Sequence, residues 1–269
     1  MGTKDGMMAA QPIELVYVGY RSEELRQVLD AGVRTFLVDR EWRGKERRQL
    51  GQDTEIDAAS REDLAAATAL PGARVWCRIN AFGNQTPQEV EEAIEVGVDC
   101  VFLPMVRTIE EVRGFLALVA GRCKTAILVE TDAAVSLAPE FGRMGLDFIY
   151  VGLNDLAIDR GYTNIFRAIA DGTVERVREA FPDTCFGFAG MTDIHRGDPI
   201  PAHLILRELH RLESGFCFCR RSFRRDTQTR DMAEVVAEIT ALYQGLSERS
   251  TDQVQRERLA LVEAIRSND

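Results

Sequence analysis

The sequence predicts an α/β chain closed into a (β/α)8 TIM barrel with an additional C-terminal helix. Three observations predict it. Eight short apolar runs recur along the chain, amphipathic helical stretches separate them, and 269 residues is close to the usual size of that fold. The runs are continuous rather than alternating, as strands buried on both faces should be. Strict alternation of β and α favours a parallel sheet under helices, and eight such units favour closure over an open sheet.

In chain order, the run Ile13–Val18 leads to a helix over Glu23–Ala31, and Thr35–Asp39 to one over Glu62–Ala69. Arg74–Asn80 precedes Gln88–Val96, Cys100–Val106 precedes Ile109–Val119, and Thr125–Glu130 precedes Ala133–Phe141. Phe148–Gly152 is followed by Val174–Phe181, Cys185–Ala189 by Pro201–Leu212, and Phe216–Cys219 is the eighth run. Thr86 and Thr108 offer N-cap hydroxyls ahead of first-turn acids. Gly32, Gly97, Gly121, Gly145 and Gly215 fall where helices should stop. Two further helices are expected, Met232–Leu246 and Asp252–Ile265. The last lies outside the eight units and either caps the barrel bottom or crosses to another subunit. No Pro-, Gly- or Ser-rich linker interrupts the chain, so residues 1–269 read as one domain.

A net charge of −10 argues against a nucleic-acid or anionic-membrane partner. No apolar run reaches the roughly 18 residues that a membrane span needs, and the N-terminus lacks a signal-peptide core. Six cysteines without a CxxC motif fit reduced thiols in a cytoplasmic protein rather than a disulfide framework. Three histidines without a spaced Cys/His set argue against zinc.

The chemistry is expected at the C-terminal ends of the strands. Glu130 and Asp155 each close an apolar run, 25 residues apart, which is one βα repeat. A carboxylate at the end of a buried strand is costly unless paired or holding a cation. On neighbouring parallel strands the two would emerge on one edge, roughly 5 Å apart at the backbone. That arrangement suits Mg2+ or Mn2+, which take oxygen ligands. Such an ion would chelate the carboxylate and keto oxygen of a 2-oxoacid and withdraw charge as an enolate develops. Arg78 offers a planar fork for the same substrate. Gly152 admits close backbone approach, and Leu153 and Asn154 complete that turn of the substrate-binding set. Asp39, which ends the second run, and Glu41 just beyond it join Arg78 as the catalytic candidates. Arg220 and Arg221, in a stretch with four arginines in six positions, would meet an anionic group on a second substrate.

Three segments carry a family resemblance: Leu103-Pro104-Met105-Val106-Arg107-Thr108, Ile127-Leu128-Val129-Glu130-Thr131 and Val151-Gly152-Leu153-Asn154-Asp155-Leu156-Ala157. In register, they resemble the metal-dependent (class II) pyruvate or hydroxy-oxo-acid aldolases and citrate lyase beta subunits. Those proteins belong to the phosphoenolpyruvate/pyruvate-binding barrel superfamily. The similarity runs from about Glu14 to Arg225. It implies a modified barrel, a divalent metal at Glu130 and Asp155, a substrate arginine at Arg78, and homo-oligomers in which the C-terminal helix packs on a neighbour.

Two positions depart from the aldolase pattern. Trp42 follows Asp39-Arg40-Glu41 where those aldolases carry a histidine base, and Leu128 stands where they carry a glutamine. The stretch Asp39–Arg48, with Arg78-Ile79-Asn80, resembles the lyase branch instead. Glu41, Lys45 or a metal-bound hydroxide remain as candidate bases. No run ends in lysine, which disfavours a Schiff-base mechanism. The expected function is a metal-dependent carbon–carbon lyase or aldolase acting on a 2-oxoacid with an aldehyde or other acceptor. The alternatives are a lyase or synthase on a citrate-like or acyl-thioester substrate, and a non-catalytic metabolite-binding barrel.

Overall fold

The computed structural model describes residues 12–43 and 59–269. Its eight strands are β1 (Glu14–Val18), β2 (Thr35–Asp39), β3 (Arg74–Arg78), β4 (Cys100–Leu103), β5 (Lys124–Val129), β6 (Phe148–Val151), β7 (Cys185–Met191) and β8 (Phe216–Cys219). Each pairs in parallel with the next and β8 returns to β1, so the sheet is a closed barrel. All eight coincide with apolar runs, but several end sooner than the runs do. β4 stops at Leu103 because Pro104 lacks an N–H for the ladder and Met105 takes a left-handed φ of 56°. β7 runs on to Met191 through an irregularity between Gly187 and Gly190.

Side chains fill the inside of the barrel. Trp76 packs against Phe102, Phe148 and Phe216 with ring centroids 4.8–5.3 Å apart. Val16, Leu37, Leu128 and Tyr150 belong to the same cluster. A plugged interior leaves only the ends of the cylinder for chemistry. A second, larger apolar layer lies between the sheet and the helices, where Leu25, Leu64, Phe115, Phe141 and Leu209 are wholly buried. Each such side chain contributes roughly 1.5–3 kcal/mol relative to exposure.

The helices follow their signals with instructive exceptions. Thr108 caps Ile109–Val119 in a reciprocal box with Glu111, as its sequence predicts. Thr86 is instead the first helical residue of Thr86–Glu95, and Gln85 precedes it as cap. The helix expected over Ala133–Phe141 is two pieces, Asp132–Ser136 and Ala138–Phe141. Pro139 supplies no N–H to continue the first piece. Left-handed Gly32 and Gly97 directly follow the caps of their helices, but Ile109–Val119 ends on left-handed Ala120, Ala138–Phe141 ends on Gly142 before Gly145, and after Ala202–Arg211 the left-handed residue is Glu213, not Gly215. Gly215 answers a different demand, since a Cβ there would sit 2.6 Å from Cys185 Sγ.

A further correction concerns Asp155. The strand ends at Val151 and Leu153–Arg160 is helical, so Asp155 lies in the first turn of a helix rather than at the end of a strand. Gly152 is the cap, and an acid in the first turn complements the helix dipole.

At the C-terminus, Met232–Gly245 and Thr251–Arg266 are helices close to the expected bounds. The last lies against its own chain, on Ala202–Arg211 and Arg167–Ala170. Arg258 donates to the Ile169 carbonyl at 2.7 Å and pairs with buried Glu208 at 2.9 Å. Asn164, within Gly161–Ile165, donates from Nδ2 to the Ile265 carbonyl and accepts the Phe166 N–H, both at 3.0 Å. Asn164 therefore ties this segment to the C-terminal helix. Among the described residues, no helix is long and apolar enough to cross a membrane. All six cysteines are free thiols, four of them buried.

Candidate active site

β5 and β6 are neighbours in register, with Val129 opposite Val151. Glu130 therefore stands opposite Gly152, one step beyond the paired ends. The glycine is required: a Cβ there would come within 2.6 Å of Glu130 Oε2 and 2.9 Å of Glu130 Cβ. Glu130 is 2% exposed, and its Oε1 accepts the Met105 N–H at 2.8 Å. One residue on, Thr131 donates its hydroxyl to the Val106 carbonyl at 2.7 Å and caps the next helix by accepting the Ala134 N–H at 3.0 Å. Two bonds thus lace the rims of β4 and β5 together around Glu130.

Arg78 ends β3, level with Asp39 on β2. Its Nε donates to Asp39 Oδ1 at 2.9 Å and its Nη2 to Asp39 Oδ2 at 2.5 Å. Buried Glu41 lies 3.5 Å from the same Nε. The fork expected to meet substrate is thus engaged by Asp39 on one edge. A guanidinium has five N–H donors, and these two bonds use two of them. Both acids and the nearby Glu130 hold Arg78 firmly protonated against its burial.

Burial pushes the Glu130 carboxyl up to about 8, and the negative charges of Asp155 and Glu41 push it the same way. Arg78 and the Met105 amide pull it down, but less. The cluster therefore holds more negative charge than its one guanidinium offsets. Added positive charge would be stabilised there, and a small hard cation is the natural supplier. Glu130 and Asp155 carry oxygen donors of the kind such a cation takes, but with Glu41 they do not form a group whose ligand atoms all lie within 4.8 Å of one another.

The other candidate residues are placed as follows. Asn80 supports the loop after β2: its Oδ1 accepts the N–H groups of Trp42 at 3.1 Å and Arg43 at 2.9 Å, and its Nδ2 donates to Glu89 at 2.6 Å. Trp42 is left 52% exposed on that mount. Leu153 is buried in the outer apolar layer, so only its backbone can reach a ligand, whereas Asn154 is half-buried. Arg220 lies over the Phe166 ring at 5.6 Å and donates to the Asp198 carbonyl at 3.0 Å. Arg221 is exposed beside it. Arg224 and Arg225 pair with Glu24 and Asp226, at 3.0 and 3.3 Å, which removes them from the expected arginine cluster. Leu128, in the place of a glutamine, belongs to the apolar plug. Lys45 lies outside the described residues.

Sequence reasoning missed the Met105 amide. No side-chain pattern marks a backbone donor, although Pro104 just before it hinted at a break in the strand. It also missed a second group, Asp193, His195 and Glu238, whose ligand atoms all lie within 4.8 Å of one another. There Arg230 already bonds both carboxylates, at 3.1 Å to Asp193 and 2.6 Å to Glu238. Two hollows have linings that include none of Glu41, Arg78, Glu130 and Asp155. One of about 490 Å3 is bordered by Asp132, Arg160 and Tyr162, and one of about 250 Å3 by Arg40, Trp42 and Glu89.

No family model and no curated protein matches the chain. Among solved structures, an HpcH/HpaI aldolase from Desulfitobacterium hafniense DCB-2 is similar, with a TM-score of 0.64 and 16% sequence identity. The alignment covers 86% of this chain and 93% of that one. At that identity the likeness shows a shared fold, the closed eight-stranded parallel barrel with outer helices.

Proposed function

We propose that the chain is a divalent-metal-dependent carbon–carbon lyase of the aldolase type, acting on a 2-oxoacid. The observation that carries this reading is buried Glu41 and Glu130 beside one guanidinium that Asp39 already grips, with half-buried Asp155 acting on Glu130. The fold it shares with the HpcH/HpaI aldolase from Desulfitobacterium hafniense DCB-2 supports it.

In this reading Glu130 and Asp155 hold Mg2+ or Mn2+. When bound, the ion supplies a positive charge that stabilises the enolate of a pyruvate-type substrate. Asp39 holds the Arg78 plane fixed, so the remaining N–H donors of Arg78 orient the substrate carboxylate or keto oxygen without reorganisation. Glu41, buried beside Arg78, takes the proton lost from the carbon next to the keto group. Gly152 makes room for Glu130, and the backbone of the Leu153–Asn154 turn beside it meets the substrate. Arg220 and Arg221 receive an anionic group on the acceptor. The enzyme would act as a homo-oligomer in the cytoplasm.

Deuterium exchange into pyruvate, followed with and without Mg2+, tests the reading. Metal-dependent exchange in the wild type and none in Glu130→Ala is expected. Equal exchange in the two would sink it. One observation favours a second reading. The exposed indole of Trp42 offers a surface for a substrate larger than a small aldehyde, as an acyl thioester is. Turnover of a thioester but of no free hydroxy-oxo-acid would select that alternative.

A further inference from the structure

We infer that Asp193, His195 and Glu238 form a binding site for a zinc-type transition-metal ion, which pins the loop after β7 to the helix Met232–Gly245. The site shares no residue with the acids beyond β5 and β6, and it does not rest on the aldolase reading. Asp193 lies two residues past the end of β7 and is buried. Its Oδ1 accepts the His195 N–H at 2.9 Å, a local turn that brings the imidazole back toward the carboxylate. Glu238 comes from Met232–Gly245 and is half-buried, while His195 is exposed. Sequence spacing hides such a group, because the helix that carries Glu238 is far from the loop in the chain.

The separations suit an ion. Donor atoms of the three side chains all lie within 4.8 Å of one another, and His195 Nε2 and Glu238 Oε2 are 3.4 Å apart. Two ligands about 2.1 Å from a tetrahedral zinc stand roughly that far from each other. Glu238 Oε2 is enclosed yet accepts no hydrogen bond, so the imidazole beside it does not satisfy it. A carboxylate oxygen enclosed in that way is costly, and a shared cation removes the cost. Arg230 bonds both oxygens of Asp193 and Oε1 of Glu238. Those bonds leave each carboxylate with lone pairs to spare, and they fix its direction as outer partners of metal ligands do. Two carboxylates against one guanidinium also leave a net negative charge for the ion to offset. An imidazole with two carboxylates suits Zn2+, Co2+ or Ni2+, whereas Mg2+ and Ca2+ take oxygen. The exposure of His195 leaves room for water in a fourth position.

The test reads His195 directly. In protein with 15N-labelled histidine, the His195 ring nitrogens are identified by their loss in His195→Ala, a change at an exposed position. Titration in zinc-buffered solution should move the Nε2 resonance to a coordinated position. Glu238→Gln should weaken that binding by at least about tenfold, since losing even an outer partner costs a metal site that much. Glu130→Ala should leave it unchanged, and Mg2+ in place of Zn2+ should leave the resonance where it was. Zn2+ should also slow hydrogen exchange in the loop after β7 in the wild type but not in His195→Ala. A His195 resonance that ignores millimolar Zn2+ overturns the site. So does a response to Zn2+ that is equal in the wild type and folded Glu238→Gln, because a lone surface histidine would give it. A shift with Mg2+ as large as with Zn2+ overturns the choice of ion, and exchange that Zn2+ does not change overturns the pin. Loss of the response in Glu130→Ala overturns the independence of the site. The aldolase reading stands or falls separately, on pyruvate exchange.

Discussion

Arg78 and Asp39 meet across the β2–β3 step as a two-point ion pair, Nε to Oδ1 at 2.9 Å and Nη2 to Oδ2 at 2.5 Å. Their strands place them at the same level, so the pair follows from register alone. Because Glu41 and Glu130 also act on Arg78, it is the counter-charge for three acids.

Removing that counter-charge should be costly. Arg78→Ala leaves Asp39, Glu41 and Glu130 facing one another, and breaking a mostly buried pair from one side costs about 3 kcal/mol. Asp39→Asn, which keeps a hydrogen-bond acceptor, should cost less. Urea denaturation of both variants measures the difference, and a larger loss for Asp39→Asn would contradict this account.

Glu130 should write a signature into the pH dependence of stability. Its carboxyl is raised from 4.5 to about 8 in the folded chain, so between those values the folded state holds a proton that the unfolded state has released. Stability of the chelator-treated protein should therefore be greatest, as far as this group is concerned, below pH 4.5 and fall as pH rises toward 8. Glu130→Gln, which cannot ionise, should flatten the slope in that window. Thermal melts at a series of pH values read it directly.

Gly152→Ala inserts a methyl group where Glu130 now stands, 2.6 Å from Oε2. Either Glu130 or the rim of β6 must shift, at a cost of roughly 1–3 kcal/mol for overpacking. Metal-dependent pyruvate exchange should fall at least tenfold, because the displaced side chain is the proposed ligand. Undiminished exchange would separate Gly152 from the chemistry.

Asn164→Ala should loosen the last helix. It removes the bonds to the Ile265 carbonyl and from the Phe166 N–H, both buried, at a cost of about 1–3 kcal/mol. Hydrogen exchange should rise across Thr251–Arg266 more than in the strands. Uniform change across the chain would argue against a local clamp.

Much of the fold was legible because apolar periodicity reports burial directly. All eight strands, the Thr108 cap and both C-terminal helices follow from it. Errors arose where a local signal had two readings. The run through Asp155 looks like a strand to its end, yet Gly152 breaks it and a helix begins. Thr86 looks like a cap, yet its neighbour Gln85 takes that place. The arginines after β8 look like one anion pocket, but Arg224 and Arg225 find Glu24 and Asp226, and Glu24 is about 200 residues away in the chain.

The sequence by itself determined the barrel, the order of its parts and the acids and arginine that gather at one rim, because strand period and strand-end position are local properties. Only the tertiary structure decided how those groups divide their bonds. The grip of Asp39 on Arg78, the approach of Gly152 to Glu130 and the Met105 amide on Oε1 are contacts between different strands. Each depends on the register of a closed sheet and on backbone angles, and neither quantity is written in any single segment of the chain.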